Sequence, residues 1–476
     1  MNFRRFQLPF IAFMSGFSLM AFELIAARIL APSIGSSIYV WTSVIGIIIA
    51  AMSVGYWVGG KVSDLRHNFS DIAWLCLGTA LTVLVCLVFY LPLIEVATDL
   101  LRDPRIQGVV VSLCLFAPTS FLIGVLSPYL VKMQVTSLKT TGQSFASLST
   151  LESLGGISGT FITGFILFSY IGVREALMII IVLLIGVSWC ISPRKHVVMR
   201  LGVSMGLMVI AGALLFYQPK GQIETASAHY SIVNGVSSSG RPVRGIATGP
   251  NGTQSGVYVD APNELLFWYT QQLATIVEQT EKRDRILVLG GGTFTLPRYL
   301  AQKYPRSQID VVEIDDELVD IAREHFYYND PVNIRIIPDD ARRYVNTATQ
   351  SYDIVLVDVY SDASVPFSLM SREYSDKLHR ILAPQAIIGV NMIADTNGPC
   401  RELLRALDAP YRLLRSNVSY VQQQKGSRSN MVVVYSPMKT SIRGYSRLNL
   451  PMPPIYTDSF MPAEQLQHRC EKTDEA

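Results

Sequence analysis

Before residue 219 the chain contains seven runs of mostly apolar residues, at about 8–27, 38–60, 72–94, 108–131, 146–169, 174–193 and 199–217. A hydrocarbon layer roughly 30 Å thick is crossed by a helix of about 20 residues, so each run has the length of one span. Inside lipid only a helix satisfies all its own backbone N–H and C=O groups, which leaves little else such a chain can become. Charge divides the chain at the same place. Up to residue 219 there are 13 Lys+Arg and 8 Asp+Glu, whereas the remainder holds 27 and 29. The two parts therefore carry +5 and −2, and the second has the charge density of a soluble domain. The first run is long, lacks a small-residue cleavage signature and is followed at once by further spans, so it reads as a span rather than a removable leader. Gly46, Gly55, Gly59, Gly60, Pro118, Pro128, Gly155, Gly156, Gly159 and Gly164 lie within the runs. Small residues let membrane helices approach closely, which predicts a packed bundle over 1–218.

Short loops on the cytoplasmic side of a membrane carry an excess of Lys and Arg. One set of span ends holds Arg4, Arg5, Lys61, Arg66, Lys132, Lys139, Arg194, Lys195 and Arg200; the other holds Arg28, Arg102, Arg105 and Arg174. This predicts a cytoplasmic N-terminus and, after seven crossings, a second half emerging outside, in the periplasm of a Gram-negative bacterium. Glu23, Arg28 and Glu152 are ionisable groups in or near the spans. They read either as an internal Glu23–Arg28 pair or as the lining of a hydrophilic passage or substrate site. No basic tract is long enough to follow a phosphate backbone, so nucleic acid is not expected as a partner. The six cysteines show neither a CxxC nor zinc-ligand spacing. Cys76, Cys86, Cys114 and Cys190 sit in apolar runs and Cys400 and Cys470 stand apart, so neither a metal site nor a disulfide framework is expected.

The second half begins, over 219–280, with short strand-like runs such as "HYSIVNG" and "SGVYVD" around a Gly/Ser/Asn-rich stretch. From residue 281 to 436 strands alternate with helices at 295–304, 316–327, 371–382 and 398–408. Continuous Val/Ile/Leu strands between amphipathic helices predict an α/β, Rossmann-like, doubly wound parallel sheet buried on both faces. The tail, 437–476, is rich in Pro and polar residues and is expected to pack irregularly or move.

Chemistry concentrates in "RILVLGGGTFTLPRYLAQKYPRSQIDVVEID". A strand runs into Gly290, Gly291 and Gly292, a helix follows, and a second strand ends at Glu313 about 20 residues on, the spacing of a nucleotide-binding βαβ unit. Glu313 could accept both ribose hydroxyls. Asp340, beside Ala341 in "PDDAR", stands where a carboxylate could meet an adenine amine, or as a helix cap. Asp358 closes the fourth strand, with Tyr360 and Asp362 just beyond. Ligands in open α/β sheets lie across the carboxyl ends of the strands, so Glu313, Asp340 and Asp358 should converge.

These residues carry a resemblance. Over about 224–436 the chain is similar to the spermidine/spermine synthase family. As a whole it resembles the multi-pass bacterial proteins in which a membrane bundle is fused to such a domain, through "SGFSLMAFELIAARILAPSIGSSIYVWTSVIGIIIAAMSVGYWVGGKVSD", "STLESLGGISGTFITGFILFSYIG", "QSGVYVDAPNELLFWYT", "VVEIDDELVDIA", "VDVYSDASVPFSLMSREYSDKLHRILAP" and "YTDSFMPAE". The resemblance implies a transferase of the bacterial inner membrane. It would bind S-adenosylmethionine or its decarboxylated form as co-substrate without metal, act on a small molecule such as an amine, and leave room for a homodimer. It implies nucleoside contacts from Gly290, Gly291, Gly292, Thr293, Glu313, Asp340, Ala341 and Gln254. Asp358 or Asp362 would serve as general base near Tyr360, with Tyr230 lining the pocket.

Three departures bear on the substrate. The family's "GGGDGG" reads "GGGTFT", so Thr293 replaces the acid expected to hold an aminopropyl amine. Its "YHE" reads Trp268-Tyr269-Thr270, and its "DSSDP" loop is one residue longer, which displaces Asp362. A diamine such as putrescine is therefore disfavoured as acceptor, and aminopropyl transfer, methyl transfer and cleavage of the sulfonium by its own carboxylate stay open. From a different class, a transporter or sensor with a non-catalytic nucleoside domain is the alternative; it would tolerate Asp358→Asn but not Glu23→Gln. A cofactor made in the cytoplasm also sits awkwardly with loop charges that place the second half outside.

Overall fold

The computed structural model describes residues 3–470 except 35–37, 67, 102, 136–140, 192–195, 217–220, 226, 249–252, 361–365, 397, 399, 415–418, 424–428, 436–442, 449, 452–455, 460–464 and 467–468. Two compact units result, Met1–Ala226 and Ser227–Ala476.

The first unit is helical: α1 (Phe3–Ile34), α2 (Ile38–Leu65), α3 (Phe69–Leu100), α4 (Pro104–Leu115), α5 (Ala117–Gln134), α6 (Thr141–Ile162), α7 (Phe168–Tyr170), α8 (Val173–Cys190) and α9 (Val197–Phe216), then a short strand β1 (Gln222–Glu224). Among the described residues, six helices are long and apolar enough to cross a membrane, and a seventh crossing arises if α4 and α5, bent by 51°, count as one. The sequence reads 108–131 as a single run, whereas the structure breaks it at Phe116. Pro118, at the start of α5, lacks an N–H to donate, which accounts for the bend. Asp103 starts α4 by accepting the Arg105 amide at 2.9 Å, with Pro104 preset for the first turn. Glycines set the closest helix contacts. A Cβ on Gly155 of α6 would lie 1.9 Å from the Phe13 carbonyl oxygen of α1, and one on Gly124 of α5 2.5 Å from that of Met52 in α2. Both backbones are in van der Waals contact, as small residues permit. Among the charged groups, Glu152 accepts from Ser127 at 3.0 Å, and Arg28 lies over Phe168 and donates to the Phe168 and Thr225 carbonyls.

The second unit opens with antiparallel strands β2 (His229–Val236), β3 (Pro242–Ala247) and β4 (Ser255–Tyr258). Helix α10 (Trp268–Gln279) follows, so the segment 219–280 is not β structure alone. An eight-stranded sheet then runs in the order β12-β10-β11-β9-β8-β5-β6-β7. Its strands are β5 (Arg285–Leu289), β6 (Gln308–Glu313), β7 (Ile334–Pro338), β8 (Tyr352–Val357), β9 (Leu382–Ala394), β10 (Ser419–Gln423), β11 (Ser429–Tyr435) and β12 (Ser446–Arg447). Helices α11 (Thr295–Lys303), α12 (Glu317–His325), α13 (Ala341–Thr347), α14 (Arg372–Arg380) and α15 (Cys400–Leu414) connect them. Strands β5 to β9 pair parallel, as the sequence predicts. The far end corrects the all-parallel expectation, because β11 pairs antiparallel with both β9 and β10. Only residues 424–428 join β10 to β11, and a parallel crossover needs about a dozen.

One further expectation is corrected: Cys400 and Cys470 form a disulfide, 70 residues apart in sequence. Of the tail's described residues, Leu448, Leu450, Leu466 and Cys470 are buried, and Asp458 accepts from Arg342 at 2.7 Å and from Ser371 at 2.5 Å.

Candidate active site

In the sheet, β5 is flanked by β6 on one side and β8 on the other, so chain order reverses at the β5/β8 boundary. Such a switch point opens a crevice at the carboxyl ends of the strands. Gly290 leaves β5 there with φ +92°, and a Cβ on it would lie 2.2 Å from the Asp358 carbonyl oxygen. Only glycine has both the conformation and the room. The turn continues through Gly291 and Gly292 to Phe294, a non-glycine residue at φ +56° whose buried ring lies beneath Gly291.

Glu313, at the tip of β6, faces this turn. One carboxylate oxygen accepts the Gly291 amide at 2.8 Å and the other the Asp315 amide at 3.1 Å. Burial pushes its carboxyl above the usual range and the Asp315 charge adds to this, while the Gly291, Asp315 and Gly292 amides pull it back. Asp315, buried behind it, accepts the Tyr230 hydroxyl at 2.8 Å. Burial, with Asp315 and Glu313 adding to it, raises the Tyr230 phenol, which keeps it a donor. Asp315 was not anticipated. Its one clue is its place two residues after Glu313, at the entrance to α12.

Asp358 stands at the tip of β8. Asn391 of β9 donates to it at 2.9 Å, and the Tyr269 hydroxyl of α10 lies between its carboxylate and the Gln254 carbonyl, 3.2 Å from the latter. Burial pushes the Asp358 carboxyl up to about 6; the Asn391 and Tyr269 bonds oppose this and the Glu313 charge adds to it. A carboxyl at that value accepts a proton at neutral pH and can give it up again. Asn391 was also missed: it is the polar residue inside the apolar run "AIIGVNMI". Tyr360 does not face Asp358 through its hydroxyl, which donates to the Asn391 carbonyl at 2.9 Å. It therefore ties the segment after β8 to β9, the strand that carries Asn391.

Thr293 is closed off. Thr295 donates to the Gly256 carbonyl at 3.2 Å and so accepts from Thr293, 2.7 Å away, leaving Ser255 to donate to Thr293 at 2.7 Å. Each hydroxyl proton is committed, and Thr293 is only 1% exposed. The hydroxyl chain pins the glycine turn to β4 and puts no charge where an acid was expected. Asp340 caps α13, accepting the Arg343 amide at 2.9 Å, and Ala341 beside it is buried. Asp340 thus occupies the next strand tip in the cap geometry weighed from sequence. Asp362 lies outside the described residues.

Comparison with known proteins covers the stretch that holds the glycine turn and the tips of β6 and β8. Residues 266–395 match the model of the spermine/spermidine synthase domain. Over 126 residues the chain is 36% identical to a probable polyamine aminopropyl transferase of Bifidobacterium longum, covering 26% of this chain and 28% of that protein. Over 131 residues it is 32% identical to putrescine N-methyltransferase 2 of Nicotiana tabacum, covering 26% and 36%. The matched part thus spans well under half of either relative. Among solved structures, a probable spermidine synthase from Corynebacterium glutamicum aligns at 26% identity over 47% of this chain and 82% of its own, with a TM-score of 0.40.

Proposed function

The soluble unit carries a spermidine synthase-like domain, and from that premise we propose that the chain is a membrane-bound transferase acting on a sulfonium nucleoside, S-adenosylmethionine or its decarboxylated form. The observation that carries this reading is the Gly291–Glu313 bond beside Asp358. A carboxylate offers about four acceptor sites. Glu313 spends two on the Gly291 and Asp315 amides and is also approached by the Gly292 amide, so the remaining capacity is open to a hydroxyl of a ribose laid over the glycine turn. In this reading Asp358 takes the proton from an incoming nucleophile. That nucleophile forms its bond to the carbon next to sulfur, the C–S bond breaks, and its electron pair returns to sulfur. Aminopropyl transfer releases methylthioadenosine in this way. Buried Asn391 Oδ1, with no partner among the described residues, is an acceptor available to an amine.

A second reading, methyl transfer, is favoured by the uncharged, sealed Thr293 position and by similarity to a putrescine N-methyltransferase. Titrating the purified full-length chain with each nucleoside, then weighing the products, separates the two. Methylthioadenosine supports the first reading and S-adenosylhomocysteine the second. Failure to bind either nucleoside at millimolar concentration, with the fold intact, removes both.

A further inference from the structure

We infer that the second unit, Ser227–Ala476, is exposed on the outer, oxidising face of the membrane, where the Cys400–Cys470 bridge is a permanent part of its fold. The argument needs membrane insertion but not the transferase reading.

The first observation is the arrangement of contacts in the helical unit. At one end Gln7 donates to the Cys190 carbonyl at 2.8 Å, and Lys132 pairs with Asp64 at 2.7 Å. At the other end Arg28 bonds the Phe168 and Thr225 carbonyls, and Arg174 donates to the Tyr90 hydroxyl at 3.2 Å. Thr225, where the chain leaves the bundle, therefore lies at the end opposite Gln7, as an odd number of crossings requires. By sequence, nine of the thirteen Lys and Arg residues before position 219 flank the run ends that alternation assigns to Gln7's side of the bundle. Such an excess marks the cytoplasmic side, so the chain leaves the bundle on the opposite one.

The second observation is independent of charge. The second unit contains only two of the six cysteines, and these two are bonded to each other. The four in the helical unit are free. Both bridged cysteines are buried with Leu403, Leu404 and Leu466, between the start of α15 and the tail. Cytosolic thiols are kept reduced, whereas bridges persist outside. Forming the bond removes two protons and two electrons, which pass to the disulfide of a thiol-oxidising protein and leave that protein as a dithiol. Such oxidants work on the outer face.

The test uses the full chain in a bacterial host. Cells are acid-quenched, denatured and treated with a mass-tagged maleimide, before and after reduction. Four tags are expected before reduction and six after it, and six without reduction in a host lacking its extracytoplasmic thiol oxidase. Separately, alkaline phosphatase fused after Ala476 should be active and a fluorescent protein there dark. Six tags on the unreduced chain from the ordinary host overturn the inference. So does a fluorescent fusion with an inactive phosphatase, whatever the tag count. The fusion arm does not require the bridge, so it remains decisive if Cys400→Ser with Cys470→Ser fails to fold. Neither arm reads enzymatic activity.

Discussion

Asn391 donates its side-chain amide to Asp358 across the β8–β9 boundary at 2.9 Å, and so holds the carboxylate form of the candidate base. Asn391→Leu keeps a similar size but removes that donor, leaving burial unopposed on this side. In the wild type, kcat/KM should rise with pH through about 6, as Asp358 loses its proton. In the variant that midpoint should move upward by roughly one unit, with the plateau recovered at higher pH. A pH–rate profile reads this directly. An unmoved midpoint would take Asp358 out of the base role.

The same raised value has a consequence for stability. Between the ordinary aspartate value and about 6, the folded chain holds a proton that the unfolded chain has released. Asp358 therefore favours folding below the ordinary value, and this contribution is lost as pH rises through about 6. Asp358→Asn, neutral throughout, should match wild-type stability near pH 4. Near pH 8 it should exceed it by about 1–3 kcal/mol, from 1.36 kcal/mol per pH unit discounted for the partial exposure of the site. Denaturant unfolding of both chains at the two pH values is the measurement, and transfer activity should be lost at both.

Arg298 of α11 is 1% exposed and satisfies backbone oxygens rather than a carboxylate: Phe326 at 2.7 Å, Tyr327 at 2.5 Å, and Pro262. Burial lowers its guanidinium pKa. Arg298→Met would fill most of the volume and strand three carbonyls, at about 1–3 kcal/mol each before relaxation. A loss of about 3–5 kcal/mol is expected in urea unfolding of the second unit. A loss below 1 kcal/mol would mean that the carbonyls find other donors.

The α1–α6 contact allows a test of the helical unit. A Cβ on Gly155 would meet the Phe13 carbonyl oxygen at 1.9 Å, and one on Gly16 the Glu152 carbonyl oxygen at the same distance. Gly155→Val should therefore force the helices apart by more than an ångström and lower the detergent melting temperature by several degrees. Gly164, with open space around it, should accept alanine with little change. Equal effects from the two substitutions would argue against this packing.

What could be read from sequence had short-range periodicity behind it. The spans, the βαβ spacing from Gly290 to Glu313 and the carboxylate ending β8 are all set by runs of like residues within about 30 positions. Asn391 and Arg298 are single polar residues in apolar surroundings, Asp315 is one acid among several in "EIDDE", and their partners lie on other elements, so no spacing announces them. The Cys400–Cys470 bridge joins residues brought close only when the tail folds back over α15. The antiparallel edge escaped because β10 is short and its neighbours are decided by a connection rather than by composition. Thr293 could be seen as a departure, but its burial in a hydroxyl chain depends on Ser255, far away in sequence.

Phe294 deserves its place under the glycines for a reason that reaches past packing. Its ring lies 5.0 Å from that of Tyr328, tilted by 43°, in a core shared with Leu296, Leu300 and Val311. The loop that would receive a nucleoside is thus wedged from below by the protein's own interior. Little conformational freedom is left for a ligand to quench, so its affinity would be set by what it touches rather than by what it must first organise.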